Sequence, residues 1–137
     1  MKKSRIIISI VLVLVLAGCK KDGTVDPSAA NIPIIANTQN AFALDLVATS
    51  YTSNAVYPLS FSTDTLACSL TITGQTTGTG SLRIIDSNNS TVYSDTTLSN
   101  KIVALTQMGK GIPKNITLVF NNYTGIINFA LSRSKTH

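Results

Sequence analysis

An all-β, antiparallel two-sheet sandwich of about eight strands is the fold class this sequence predicts, and three observations predict it. From Ala41 onward, apolar residues recur at every second position in short runs, the period of a strand with one buried face. Clusters of Gly, Pro, Asn, Asp and Ser punctuate these runs at spacings of roughly 8 to 12 residues. No segment after the apolar run at residues 6–16 carries a helical period. An open sheet of this size would leave its apolar faces in water, so two sheets are expected to face each other.

The strands follow in order from the alternation. Ile32, Ile34 and Ile35 stand out from a polar stretch and read as a first edge strand. Phe42, Leu44, Leu46 and Ala48 share one face, with Asp45 on the other. Tyr57, Leu59 and Phe61 form the next run, and Pro58 places it at an edge because proline cannot donate to a ladder. Leu66–Thr73 alternates as a half-buried strand in which Cys68, in phase with Leu66, Leu70 and Ile72, reads as a small buried hydrophobe. Gly74–Gly80 reads as a mobile hairpin tip. Ser81–Asp86 and Thr91–Ser94 make a hairpin about the turn residues Asp86–Ser90. Ile102–Leu105 comes next, Gly109–Pro113 interrupts, and Ile116, Leu118 and Phe120 alternate again. Asn121–Gly125 is expected to turn the chain into the closing strand, marked by Ile127, Phe129 and Leu131.

The amino terminus carries a different signal. Lys2, Lys3 and Arg5 precede an 11-residue apolar run, Ile6–Leu16, and small residues follow; this is the three-part pattern of a secretory signal peptide. As a helix the run is too short for a bilayer core, which takes about 20 residues. Leu16-Ala17-Gly18-Cys19 resembles the bacterial lipobox at all four positions. That resemblance implies a diacylglyceryl group on the Cys19 thiol, cleavage before Cys19 and acylation of the new terminus. It further implies an outer-membrane lipoprotein, because Lys20 rather than Asp follows the cysteine. Two or more acyl chains make a stable anchor where one is marginal. The expected organisation is a signal peptide (a helix over 1–18), a flexible lipid-anchored tether (19–40) and a β-sandwich domain (41–137).

Removing the signal changes the charge balance. The chain carries a formal +5, but without Lys2, Lys3 and Arg5 eight basic residues face six Asp, and there is no Glu. The remaining basic residues beyond Asn31 are scattered, which excludes the basic stripe that nucleic acid requires. With Cys19 lipidated, Cys68 has no partner for an intrachain disulfide.

The stretch 80–133 is similar in pattern to the small immunoglobulin-like modules of bacterial envelope proteins. The similarity lies in the hairpin from Leu82 to Tyr93 and the Tyr123-Thr124-Gly125 sequence before the last strand. It implies an immunoglobulin-like or jelly-roll-like sandwich.

Catalytic chemistry is thinly supplied. The sole His is the final residue, His137, where nothing orients it as a base. Asp45, Asp64, Asp86 and Asp95 are the carboxylates available for paired acid–base work, and the last three sit beside Ser, Thr or Asn where turn-making is their common use. Soft-metal ligands are lacking. Asp86, Asn88 and Asn89 offer oxygens to a hard ion such as calcium, although a plain hairpin turn explains them as well. No cofactor, metal site or catalytic residue is therefore expected.

Tyr51 and Tyr123 are flanked by loop-type residues and are the candidates for an exposed ligand contact. The expected function is that of a membrane-anchored, non-enzymatic binding or adhesion module contacting a glycan or another envelope protein through segments 49–56, 74–80 and 121–125. A structural or assembly lipoprotein that pairs through a sheet edge is the second reading. A hydrolase, requiring two converging carboxylates, is the third.

Overall fold

The computed structural model describes residues 30–105, 108 and 110–134. The expected signal peptide (1–18), residues 19–29 of the expected tether, Cys19 among them, and His137 lie outside the described residues.

Alternation produces strands as expected, but fewer and longer ones. The elements are β1 (Ile34–Asn37), β2 (Ala41–Pro58), β3 (Leu66–Asp86), β4 (Thr91–Asp95), β5 (Lys101–Leu105) and β6 (Pro113–Arg133). All six belong to one antiparallel sheet in the order β1-β2-β6-β3-β4, with β5 also paired to β3. Neither eight strands nor two separately bonded sheets are present among the described residues. The difference arises at Ser50, Gly74–Gly80 and Asn121–Gly125, where residues typical of turns sit inside β2, β3 and β6 instead of ending them.

The central strand is β6, which pairs with β2 and β3 along nearly its whole length. Both ladders are interrupted at the same level: between Ala48 and Ser53 against β6, and between Thr73 and Thr79 against β6. Bulges bend a strand and increase its twist, and a bend shared by three neighbours folds the sheet over. Phe42 and Tyr57 measure the result. They lie fifteen positions apart on β2, about 50 Å along an extended strand, yet their ring centroids are 5.9 Å apart. The Asn37 side chain also donates to Pro58 O at 2.8 Å, tying the start of the sheet to the far end of β2.

One core fills the fold. Phe42, Leu44, Leu46, Leu70, Ile72, Ile127 and Phe129 from one half of the sheet face Leu82, Ile84, Ile116, Leu118 and Phe120 from the other in a single buried cluster. The inward positions of β2 change from even to odd across the bend, Phe42–Ala48 against Tyr51–Tyr57, so the bulge keeps the apolar face inside on both halves. Cys68 is buried in this core, where desolvation pushes its thiol up to about 11, so it is a packing residue and a poor nucleophile.

The edges are covered unequally. On the β3 side, β5 pairs with the first half and β4 with the second. The connection between them inserts Leu98 at the bend: Leu98 N–H donates to Gly80 O at 3.0 Å, and Gly80, lacking a Cβ, leaves the space that Leu98 Cδ1 and Phe120 occupy. Lys101 ties this connection down through Asp95 at 2.7 Å and Thr97 O at 2.6 Å. On the β2 side, β1 covers only the first half, as the expected edge strand. Among the described residues no strand pairs with the free edge of β2 beyond the bend.

Because Phe42 packs on both Tyr57 and Phe129, Phe42→Ala is expected to destabilise the domain by about 3–5 kcal/mol, read as a lower urea midpoint.

Candidate functional site

The bend gathers the three segments singled out in sequence, 49–56, 74–80 and 121–125, at one end of the molecule. They are strand interiors rather than loops or a mobile hairpin tip, so what they present is a polar crest. Ser50 N–H donates to Thr124 Oγ1 at 3.0 Å, and Asn122 N–H donates to Thr52 Oγ1 at 2.9 Å, bonding β2 to β6 through side chains where the ladder is broken. The Thr77 hydroxyl donates to Asn122 O at 3.4 Å across the β3–β6 break.

Backbone conformation makes the crest possible. Ser50, Gly74, Gly78 and Asn122 all have positive φ, a region Gly enters freely and Asn tolerates. At Gly78 the requirement is double, since a Cβ there would run into the Asn122 carbonyl.

Two asparagines stand in for missing strands. The Asn31 amide accepts from Thr49 N–H at 2.8 Å and donates to Thr49 O at 2.9 Å. On the opposite edge, the Asn100 amide accepts from Gln75 N–H at 2.7 Å and donates to Gln75 O at 3.2 Å. A carboxamide carries one acceptor and a donor group in the relation a backbone neighbour would. Each therefore pairs a backbone edge where β1 or β5 does not reach. Neither residue was a sequence candidate, because the pairing joins positions 18 and 25 residues apart.

Thr49, Ser50, Thr52, Thr76, Thr79 and Asn121 are exposed here. Segments 49–57, 73–80 and 119–125 contain no charged residue. The crest is thus a neutral field of hydroxyls and amides.

Of the two expected tyrosine contacts, Tyr123 is not one. Tyr123 is fully buried; its ring packs on Phe120 at 5.3 Å, and its hydroxyl donates to Leu98 O at 2.9 Å. Burial pushes that hydroxyl up to about 12. The inward phase at the end of the β6 bulge turns it into the core. Tyr51 is half-buried and packs on Phe120 at 5.6 Å, so it offers a partial surface at most.

The four carboxylates have separate settings. Asp95 is paired with Lys101. Asp86 Oδ1 accepts from Asn88 N–H at 2.8 Å and Ser90 N–H at 2.9 Å, closing the β3–β4 turn as a hairpin residue does. Asp64 accepts from the neighbouring Thr65 hydroxyl at 3.4 Å. Asp45 is exposed on the outer sheet face. No group of three or more His, Cys, Asp or Glu that could hold a metal occurs among the described residues.

The outer face also carries a row of small residues. The pairings align Ala36, Ala43, Ala130, Ser69 and Ala104 across β1, β2, β6, β3 and β5. Ala36, Ala43, Ala130 and Ser69 line a shallow, open depression of roughly 300 Å³ beside Asp45 and Asn128. It lacks the enclosure that small-molecule sites use.

Gly78→Ala is expected to cost at least about 2 kcal/mol, since it combines a left-handed φ with a backbone collision, measured by chemical denaturation. Tyr123→Phe is expected to cost about 1 kcal/mol at neutral pH through the lost hydrogen bond. Tyr123 is raised above its unfolded value near 10, so the neutral ring contributes stability fully below pH 10 that is lost as pH rises toward 12. Denaturation midpoints from pH 8 to 12 are expected to fall less steeply for the Phe variant. No protein-family model matches this chain, and the search of curated proteins found no significant relative.

Proposed function

We propose that this chain is a lipid-anchored protein of the bacterial outer membrane whose β domain is a non-enzymatic binding module, with the neutral crest at the bend as its contact surface and a neutral oligosaccharide as its ligand. The anchor rests on the lipobox match at Leu16–Cys19. Twelve positions separate Cys19 from Asn31, which braces the crest, and at full extension they reach at most about 40 Å. A crest ligand therefore lies close to the surface holding the lipid. The folded-over sheet is read as a sandwich-like module in which the two halves of one sheet play the part of two layers.

The observation that carries the reading is the convergence of three distant, uncharged segments into one field of exposed Thr, Ser and Asn groups. Hydroxyls and amides are both donors and acceptors, as are sugar hydroxyls, and the absence of charge disfavours phosphate or nucleic acid.

A second reading, pairing with another protein through a sheet edge, is favoured by the uncovered half of β2. Added strands bond through backbone groups, and such an edge is where they dock.

An array of neutral oligosaccharides probed with the detergent-solubilised full chain tests the first reading. Thr76→Lys and Asn121→Lys, at exposed positions with no side-chain hydrogen bond among the described residues, are expected to weaken the strongest signal at least tenfold. Stability is expected to stay within about 0.5 kcal/mol. An array with no signal, or one indifferent to both variants, overturns the crest as the site. Retention of Cys19→Ala in the membrane fraction would overturn the anchor.

A further inference from the structure

We propose that the free edge of β2 over residues 52–58 is a dimerisation edge, pairing antiparallel with the same edge of a second copy about a two-fold axis at Ala55. The inference rests on the edge-pairing reading above and names its partner.

The direction of the unpaired groups follows from the register. Leu59 N–H donates to Lys114 O at 2.7 Å, one step beyond the Pro58↔Asn115 pair. In an antiparallel ladder, bonded and non-bonded pairs alternate. Tyr57, Ala55 and Ser53 therefore bond to β6, while Val56 and Asn54 aim their N–H and C=O groups away from it. Val56 is 59% exposed and Asn54 is exposed.

These two residues flank Ala55 symmetrically. A two-fold at Ala55 sets Asn54 opposite Val56 of the second copy, and Val56 opposite its Asn54, so each pair exchanges both backbone bonds. The usable edge ends on both sides of this centre. Pro58 has no N–H and its carbonyl already accepts from Asn37, while at the other end the chain enters the bulge at Ser50 and Tyr51. A stretch this short, with its two outward residues centred on one position, is matched by its own antiparallel copy and closes after one pairing.

The remaining edges are blunted in the ways proteins use to prevent pairing. β1, β4 and β5 are four or five residues long and carry Pro33, Asp95 and Lys101 at or beside their ends. The β2 edge carries no charged guard, because residues 46–63 contain no charge, and its one proline, Pro58, only marks where the edge ends. No charge on this stretch itself therefore opposes the approach of a second copy.

The test is made in cells expressing the full chain with the photo-crosslinker p-benzoylphenylalanine in place of Val56. The expected product has twice the mass of the chain and contains peptides of this chain alone. Ala55→Cys, at a non-bonded pair with Cα atoms about 4.5 Å apart, is expected to give a disulfide dimer on mild oxidation, within the span a disulfide bridges. Asn54→Pro removes an outward N–H that the monomer does not use, so it is expected to keep the fold and reduce both cross-links at least tenfold. A product with a different protein overturns the second copy and leaves edge pairing standing. A product joining Val56 to residues 1–29 of the same chain, or no product, overturns both, and neither outcome bears on the crest. Cross-links indifferent to Asn54→Pro overturn the proposed register.

Discussion

The constraint on which this structure depends is the alignment of three backbone breaks. β2, β3 and β6 are each 18 or 21 residues long. As straight strands they would form a sheet with one large apolar face and nothing to cover it. Positive φ at Ser50, Gly74, Gly78 and Asn122 bends all three at the same level, and each half of the sheet then buries the other. A single misplaced break would slip the register of one strand and turn its apolar positions outward. The change of inward phase in β2 at its bulge shows how tightly bend and burial are coupled.

Everything distinctive about the surface derives from that bend. Breaking the ladders frees backbone groups, and the molecule satisfies them with side chains: Thr52, Thr124 and Thr77 within the sheet, Asn31 and Asn100 at its two edges. Polar residues of strand-compatible size are thereby concentrated in one place, while charges are kept to other positions, such as Asp45, Arg83, Asp86, Lys114 and Arg133. The same economy buries Tyr123, whose hydroxyl satisfies the Leu98 carbonyl under the crest. Recognition at this surface would then depend on hydroxyl and amide groups held by a stiff backbone, with Tyr51 a partly exposed ring nearby.

Unequal edge cover gives the domain its asymmetry. On the β3 side the chain spends two strands and a buried Leu98 to cover both halves, whereas on the β2 side β1 stops at the bend. The uncovered stretch is uncharged and presents two outward backbone pairs; on the proposals above, the crest serves side-chain recognition and this edge serves backbone pairing. The two are separable, because the crest uses hydroxyls and amides and the edge uses main-chain groups.

Sequence alone determined that the domain is all-β and antiparallel, which residues of the regularly alternating runs point inward, and where the β3–β4 hairpin turns, because period-two alternation and the Asp86–Ser90 turn are local properties. It also determined that Cys68 packs in the core, since its phase matches Leu66, Leu70 and Ile72. The tertiary structure decided whether Gly74–Gly80 and Asn121–Gly125 end a strand or bend one. Their composition fits either outcome, and the choice depends on pairing with β6 or β3 at a distant position. It likewise decided that Tyr123 faces inward, that Asn31 and Asn100 replace absent strands, and that half of β2 is left bare. Each of these is a relation between residues far apart in the chain, set by the register of one strand against another.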